Sequence, residues 1–559
     1  MITSKAGFLP IVGGVGCMAR SVAQELSECP VCGAACAEQL GRHLRAAHGE
    51  AAFRKAVISA KAAGAPDAEI GGSFGISFTA LQQIVTEACG ANVSTLKRPK
   101  CAQSWEPRDF REQSTTVWSF KQRGKWATHD GRYRGNWSPH IPRNVILKYS
   151  RPGDLVLDYF VGGGTTAVEA KLLGRRCAAR DINPAAVQIT RENLAFSRPR
   201  ELFNDDKLPV YEPDVSVGDA RELTGIQDAG VDLICAHPPY AGIIKYTADV
   251  DGDLSGFSVE QFLVEMSKVA AQSMRVLKPG GTCAILVGDG RKNKHVVPIA
   301  FETLRVFLAA GFELRDLVIK RQHNCKTTGF WYTGSVKHNF LLLAHEYLPI
   351  FRKPVGHRSP QCDESPGAPF ACQAAAKVVR SAADRKLETT TAWLFPFTDL
   401  DNGVRRNLIE RYAKGDAEVI CFSANRRPGI RHEAPTASSL AYVEPPGPLP
   451  DAGAISRYCS ALPAMARQAT RMLRDGGTFV ADTRDVRVGS VLCPVGLMAW
   501  EALSRERRLA LREIVIVAPQ DAPTSGGSPA ASEPLRIVHR YLLVYRTLLA
   551  GAGARVVVG

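Results

Sequence analysis

Three groups of residues have types and spacings that could do chemistry. Cys29, Cys32, His43 and His48 form C-x2-C-x10-H-x4-H. Two thiols on a knuckle, facing two imidazoles about one helical turn apart, make a tetrahedral donor set for a structural zinc ion. Leu40 would be buried beneath that helix, and Cys36 is a competing thiol. The second group is Asp158-Tyr-Phe160-Val-Gly162-Gly163-Gly164-Thr165-Thr166, where a carboxylate ends an apolar run and three glycines let backbone approach a ligand closely. Asp181 ends the next strand and suits a ribose; Asp219 ends a third and suits an adenine amine. The third group, His237-Pro238-Pro239-Tyr240, follows the apolar run Val231–Ala236 and sets an imidazole and a phenol on a rigid turn.

These groups need a scaffold, and the alternation of apolar runs with helical patterns from Arg151 onward predicts a doubly wound α/β sheet. The loop is not G-x-G-x-x-G, which argues against a nicotinamide enzyme. Upstream, Asp67 to Ile84 reads as a helix-turn-helix, with Ile70, Ile76, Leu81 and Ile84 as its core. Gly75 makes its turn, Ser77 caps the second helix, and Thr79, Gln82 and Gln83 face outward. The chain has 559 residues and a net charge of +15, which points to several domains and a polyanionic partner. No apolar run is long enough to span a membrane, and Phe8 to Ala19 is too short and too broken by Pro10 for a signal peptide. Fifteen scattered cysteines fit reduced thiols, so a cytoplasmic, nucleoid-associated protein is expected.

The strand running into His-Pro-Pro-Tyr resembles the catalytic D/N/S-P-P-Y motif of the amino-methylating DNA methyltransferases, which act on cytosine N4 or adenine N6. Asp158 to Thr165 is similar to their cofactor motif, and the likeness covers about Ser114 to Lys353. It includes Asn136 to Leu147, similar to the segment that packs over the methionine end of the cofactor, and an antiparallel pair near Glu313 to Lys320 and Phe340 to Phe351. The resemblance implies a class I S-adenosylmethionine-dependent (Rossmann-like) sheet with Asp158, Phe160, Gly162, Gly163, Gly164, Thr165, Thr166, Asp181 and Asp219 around S-adenosylmethionine. It also implies that His237 and the Pro238 carbonyl accept hydrogen bonds from a flipped base's amine, with Pro239 shaping the turn and Tyr240 stacking on the base. His237 departs from the motif, and only a neutral imidazole can accept. The target base stays open between adenine and cytosine. Gly290 to His295 and Lys320 to Tyr332, mixing basic residues with aromatics, are further candidates for DNA contact.

Beyond a Pro, Ser, Gly and Ala-rich linker the chain echoes itself. Thr390-Thr-Ala-Trp393 repeats Thr115-Thr-Val-Trp118, Arg406 to Asp416 repeats Arg143 to Asp154, Arg471 to Thr478 repeats Arg275 to Thr282, and Val538 to Arg546 repeats Leu343 to Arg352. In this copy Ser423 to Pro428 replaces the glycine loop, and Val443-Glu-Pro-Pro-Gly447 lacks the aromatic. The expected organisation is a finger (1–50), a helix-turn-helix segment (51–100), a catalytic domain (114–353), a linker (354–387) and a degenerate second methyltransferase-like domain (388–559). DNA is the expected partner, with a cognate restriction enzyme as a candidate and no membrane. The alternatives are an RNA amine methyltransferase and a non-catalytic DNA-binding regulator of the same fold.

Overall fold

The computed structural model describes residues 28–36, 40–63, 65–89, 102, 104–108, 110–131, 133–197, 208–241, 246–247, 250–323, 326–356, 371–377, 387–413, 418–423, 437–520 and 533–548. The chain divides into two compact units, 1–84 and 85–559. The Phe8 to Ala19 stretch and most of the second copy's loop at 423–428 lie outside the described residues.

In the first unit the helix Leu40–Ala62 is broken at Gly49 (φ 81°), so its first two turns form a separate piece carrying His43 and His48. Leu40, Gly41 and Leu44 are buried in it. The helix Asp67–Phe74 ends on Gly75 in the left-handed region (φ 64°), and Ser77 Oγ accepts from Ala80 N at 3.1 Å to start the helix Phe78–Cys89. Ile70, Ile76, Leu81 and Ile84 are buried as expected. Gln82 is not outward: it is buried, because Phe78, Leu81, Gln82 and Val85 fall at i, i+3, i+4 and i+7 on the helix's inner stripe.

The second unit holds two sheets. The first comprises β1 (Val117–Ser119), β2 (Leu155–Asp158), β3 (Arg176–Asp181), β4 (Asp214–Val217), β5 (Val231–Ala236), β6 (Leu277–Ile285), β9 (Glu313–Arg321) and β10 (His345–Arg352), with β7 (Gly290–Lys292) and β8 (His295–Val297) as a separate hairpin. Its order is β1-β9-β10-β6-β5-β2-β3-β4, parallel except for β10. Runs such as Val231-Asp-Leu-Ile-Cys-Ala are apolar nearly throughout because helices cover both faces of a parallel sheet. Strand order and the single reversed strand are those of the class I methyltransferase sheet, with β1 added at the edge. The order reverses between β2 and β5, where the glycine loop and the His237 turn leave the sheet side by side.

The sheet is duplicated. The second comprises β11 (Ala371–Lys377), β12 (Ala392–Phe395), β13 (Glu418–Ser423), β14 (Ser438–Val443), β15 (Leu473–Thr483), β18 (Leu509–Pro519) and β19 (Arg540–Thr547), in the order β11-β13-β14-β15-β19-β18-β12. β16 (Val486–Val488) and β17 (Val491–Cys493) repeat the hairpin. Small polar contacts repeat with it. Trp118 Nε1 donates to Thr115 O and Trp393 Nε1 to Thr390 O, both at 2.9 Å; Asn144 Oδ1 accepts from Gln113 N and Asn407 Oδ1 from Glu388 N, again both at 2.9 Å. Among the described residues this copy has no counterparts of β3 and β4; β11 pairs antiparallel in the place of β3. The stretch 354–387 is therefore not only a linker. Its Pro- and Ser-rich composition hides the short run Ala371–Lys377, which becomes a strand by pairing with β13.

The two lobes meet about a pseudo-twofold, each inserting an arginine from its hairpin into the other. Arg291 reaches Glu513 at 2.5 Å and donates to Leu341 O, while Arg487 reaches Asp316 at 2.8 Å and donates to Leu535 O. The carboxylates in turn accept from Leu341 N and Leu535 N. Thr116 with His539 (2.8 Å) and Thr391 with His345 (2.9 Å) add a second matched pair. Between them, Phe301 lies 5.9 Å from the Tyr541 ring and 6.1 Å from Trp500. Among the described residues no helix is long and apolar enough to cross a membrane.

Glu513 and Asp316 are fully buried, so removing Arg291 or Arg487 leaves a buried carboxylate without its nearest cation. Arg291→Ala and Arg487→Ala are each expected to cost about 3–5 kcal/mol in urea unfolding. A loss well below that range would show that these pairs do not hold the lobes together.

Candidate active site

The glycine loop follows β2 and opens into the helix Thr165–Leu172, whose N-cap Gly164 adopts φ 82°. The side chain of Asn136 lies across the loop: its Oδ1 accepts from Gly163 N at 3.0 Å, and a Cβ on Gly163 would meet its Nδ2 at 2.1 Å. Any side chain there would have to displace Asn136. The segment bearing Asn136 and Trp137 is pinned by Glu169, a fully buried carboxylate that accepts from Trp126 Nε1 (2.6 Å), His129 (2.6 Å) and Arg143 (2.9 Å). Burial opposes that charge, but His129 and Arg143 outweigh it and hold the carboxyl below its usual range.

Between loop and segment lies a cleft open to solvent. One end is lined by Phe160, Gly162, Asp181 and Asp219, the other by Trp137, His237 and Pro239. Asp181 accepts from Gly162 N and Asn183 N, both at 2.9 Å, and burial lifts its carboxyl to about 6. Burial lifts Asp158 to about 7; its Oδ1 accepts from Phe160 N, and it does not line the cleft but braces the start of the loop. Neither has a cation against it among the causes of these shifts. Asp219 differs: despite partial burial, its hydrogen bonds from the Arg221 side chain and backbone hold it below the usual range. Its oxygens are already engaged, so an adenine amine would have to share them. Thr165 and Thr166 are buried in the helix's first turn.

His237 stacks on Trp137 with ring centroids 5.5 Å apart and an interplanar angle of 20°. Its Nε2 lies 3.0 Å from the Tyr240 hydroxyl, which donates to Glu346 Oε1 at 2.5 Å; Lys320 Nζ meets Glu346 Oε2, also at 2.5 Å. Burial pushes His237 down to about 4, keeping the ring neutral. Burial opposes the charge on Glu346 too, but Lys320 and the neighbouring hydrogen bonds bring it to about 2. Tyr240 is half-buried, tethered at its hydroxyl, and Pro238 is buried behind it.

Three groups near the cleft were not singled out from sequence. Tyr133 and Tyr246 stack with each other in its lining (5.9 Å, 19°), and Glu346 on β10 faces Lys320 on β9. A signal existed for Glu346: it is a lone carboxylate in an otherwise apolar strand, next to His345. Two readings are narrowed. In Gly290 to His295, Arg291 and His295 are engaged with the second lobe, His295 Nδ1 lying 2.7 Å from Leu511 O. In Lys320 to Tyr332, Lys320 serves Glu346, while Trp331 and Tyr332 are exposed on the helix Lys326–His338. Both are tertiary contacts that basic composition cannot reveal.

In the first unit, Cys29, Cys32, His43 and His48 bring one ligand atom each to within 4.8 Å of one another. Cys32 Sγ lies 3.3 Å from His43 Nε2, and His48 Nε2 is buried with no hydrogen-bond partner. Cys36 Sγ instead lies against Ala34 O at 3.2 Å.

Residues 83–192 match the family model described as DNA methylase, of the N6/N4 methyltransferase kind. In that stretch the central lobe is similar to the amino-methyltransferase family. The match takes in the Asn136 segment, the glycine loop and Asp181 but stops before His237. Relatives include the ribosomal protein L11 methyltransferase of Carboxydothermus hydrogenoformans (30% identical over 163 residues, 26% of this chain and 49% of that protein). The tRNA (guanine(10)-N2)-dimethyltransferase of Methanothermobacter thermautotrophicus is 36% identical over 117 residues, 21% of this chain and 31% of that protein. The type II methyltransferase M2.DpnII of Streptococcus pneumoniae is 36% identical over 86 residues, 15% and 31% of the two chains. The chain spans less than half the length of each.

The folded His237 sits below the unperturbed value near 6.5, so stability is lost as pH falls from about 6.5 towards 4, where the unfolded state binds the proton first. Imidazole NMR should show His237 uncharged throughout pH 5–8. Titration near 6.5 would contradict the enclosure described.

Proposed function

We propose that the chain is an S-adenosylmethionine-dependent DNA methyltransferase acting on an exocyclic base amine, cytosine N4 or adenine N6. The observation that carries this reading is one cleft with two kinds of wall: the glycine loop and Asp181 at one end, a neutral imidazole on a prolyl turn at the other. When bound, the cofactor supplies an electrophilic methyl group. Asp181 would accept from its ribose hydroxyls, Phe160 and the glycine backbone would flank it, and Asn136 and Trp137 would close over it. An amine conjugated to its ring is a poor nucleophile, so His237 and the Pro238 carbonyl would accept hydrogen bonds from it and return electron density to nitrogen. Tyr240 offers a ring to the extruded base, and expulsion of water by Trp137 and Tyr246 keeps the amine aligned.

DNA is the favoured substrate because the match is to a DNA methylase family and because a helix-turn-helix and a Cys/His quartet precede the lobe in a chain of charge +15. The quartet fits zinc: four soft or borderline donors converge, and buried His48 Nε2 has no other partner. A second reading, RNA amine methylation, is favoured by the similarity to a tRNA dimethyltransferase.

Tritium transfer from labelled cofactor to DNA and to RNA separates the two; transfer to RNA alone would reject the DNA reading. Asp181→Ala should weaken cofactor binding roughly tenfold or more in calorimetry while leaving DNA affinity unchanged. Tyr240→Ala should lose about 1–3 kcal/mol of base interaction. Metal analysis of the full chain should find one zinc, kept in Cys36→Ser and lost in Cys29→Ser; zinc retained in both would rule out the assigned quartet.

A further inference from the structure

We propose that Glu346 is a positioning residue that fixes the tautomer of His237, so that the imidazole presents a bare Nδ1 as the acceptor for the substrate amine. The inference rests on the proposed function for what Nδ1 meets, while the tautomer rests on the hydrogen-bond contacts around Tyr240 together with a neutral His237 and an ionised Glu346.

Tyr240 has one hydrogen and two neighbours that could take it. Glu346 Oε1 is 2.5 Å away and His237 Nε2 is 3.0 Å away. Glu346 is paired through its other oxygen with Lys320, directly across the β9–β10 ladder. An ionised carboxylate has lone pairs only, so the phenol hydrogen goes to Glu346. The Tyr240 oxygen then has only lone pairs to offer Nε2. A neutral imidazole carries one N–H, and this contact is a hydrogen bond only if that hydrogen is on Nε2. Nδ1 is left unprotonated.

The opposite tautomer would donate from the ring to the Gly135 carbonyl, the other acceptor against it. It would make Nε2 and Glu346 Oε1 compete for the single Tyr240 hydrogen, whereas the Nε2–H form gives each of these two contacts a hydrogen of its own. Trp137 stacked on the ring face limits its rotation. Nδ1 is two bonds from Cβ, as far as Oδ1 of an aspartate or asparagine. A histidine held in this tautomer therefore does the work of a side-chain oxygen in the prolyl turn, and Glu346 reaches the reaction only through Tyr240.

Glu346→Gln tests this. Its amide oxygen keeps Lys320 while its NH2 donates to the Tyr240 oxygen, which frees the phenol hydrogen for Nε2 and moves the ring hydrogen to Nδ1. Nitrogen-15 imidazole spectra of the full chain, with His237 identified by its loss in His237→Asn, should show Nε2–H in the wild type and Nδ1–H in Glu346→Gln. Methylation turnover should fall roughly tenfold or more in Glu346→Gln with cofactor KM little changed. In a His237→Asn background, where an amide oxygen has no tautomer, the same change should cost no more than about twofold. A wild type with Nδ1–H, or an equal loss in both backgrounds, overturns the proposal; where His237→Asn turns over too slowly to compare, the spectra decide. A chain with the expected tautomer and its expected reversal that methylates no nucleic acid upholds the Glu346 device and overturns the proposed function instead.

Discussion

The reciprocal insertion of an arginine from each lobe into a buried carboxylate of the other is the interaction on which the rest of this molecule depends. Arg487 closes on Asp316 in β9, and Arg291 closes on Glu513 in β18. Each pair also satisfies backbone groups at the start of the neighbouring lobe's last strands, so ion pair and chain path are fixed together. Desolvating such charges is costly, and the geometry has to be complete for them to be tolerated. The consequence reaches the cleft along β10, where His345 turns to Thr391 of the second lobe and Glu346, the next residue, turns to Tyr240. A lobe with Gly447 in the place of Tyr240, and with no counterparts of β3 and β4 among the described residues, still holds the strand that orders the cleft of the other.

Four of the carboxylates in or beside the cleft divide by what they were given as partners. Glu169 and Glu346 are buried beside cations and stay charged, one clamping the Asn136 segment and the other clamping Tyr240. Asp158 and Asp181 are buried with backbone and hydroxyl donors only, and burial raises them to about 7 and about 6. The first pair is structural and already satisfied. Asp181 is the one whose unmet demand for donors faces the cleft, which is what a ligand rich in hydroxyl groups can answer.

The same division explains how His237 can stand where a side-chain oxygen is expected. An imidazole is ambiguous in both charge and tautomer. Enclosure removes the first ambiguity by pushing its protonation well below neutrality, and the Tyr240–Glu346–Lys320 chain removes the second. Three residues from three separate strands or turns are used to make one side chain single-valued.

By itself the sequence determined whatever is encoded within a few residues. Apolar runs marked β2 and β5, the glycines marked a loop that Asn136 could approach, the Cys/His spacing brought four ligand atoms together, and in-order echoes marked the second sheet. Local patterning suffices there because strand burial, turn conformation and ligand spacing are set by neighbouring residues. Only the tertiary structure decided the partners of the long polar side chains. Gln82 looked solvent-facing until the helix's inner stripe was set by packing, and Arg291 and Lys320 looked like nucleic-acid contacts until their carboxylates arrived from 222 and 26 residues away. Tyr240 met Glu346 across 106 residues. Charge and hydrogen-bonding capacity belong to a residue, but the group that satisfies them is chosen by which strands the sheet brings side by side, and no short stretch of sequence records that choice.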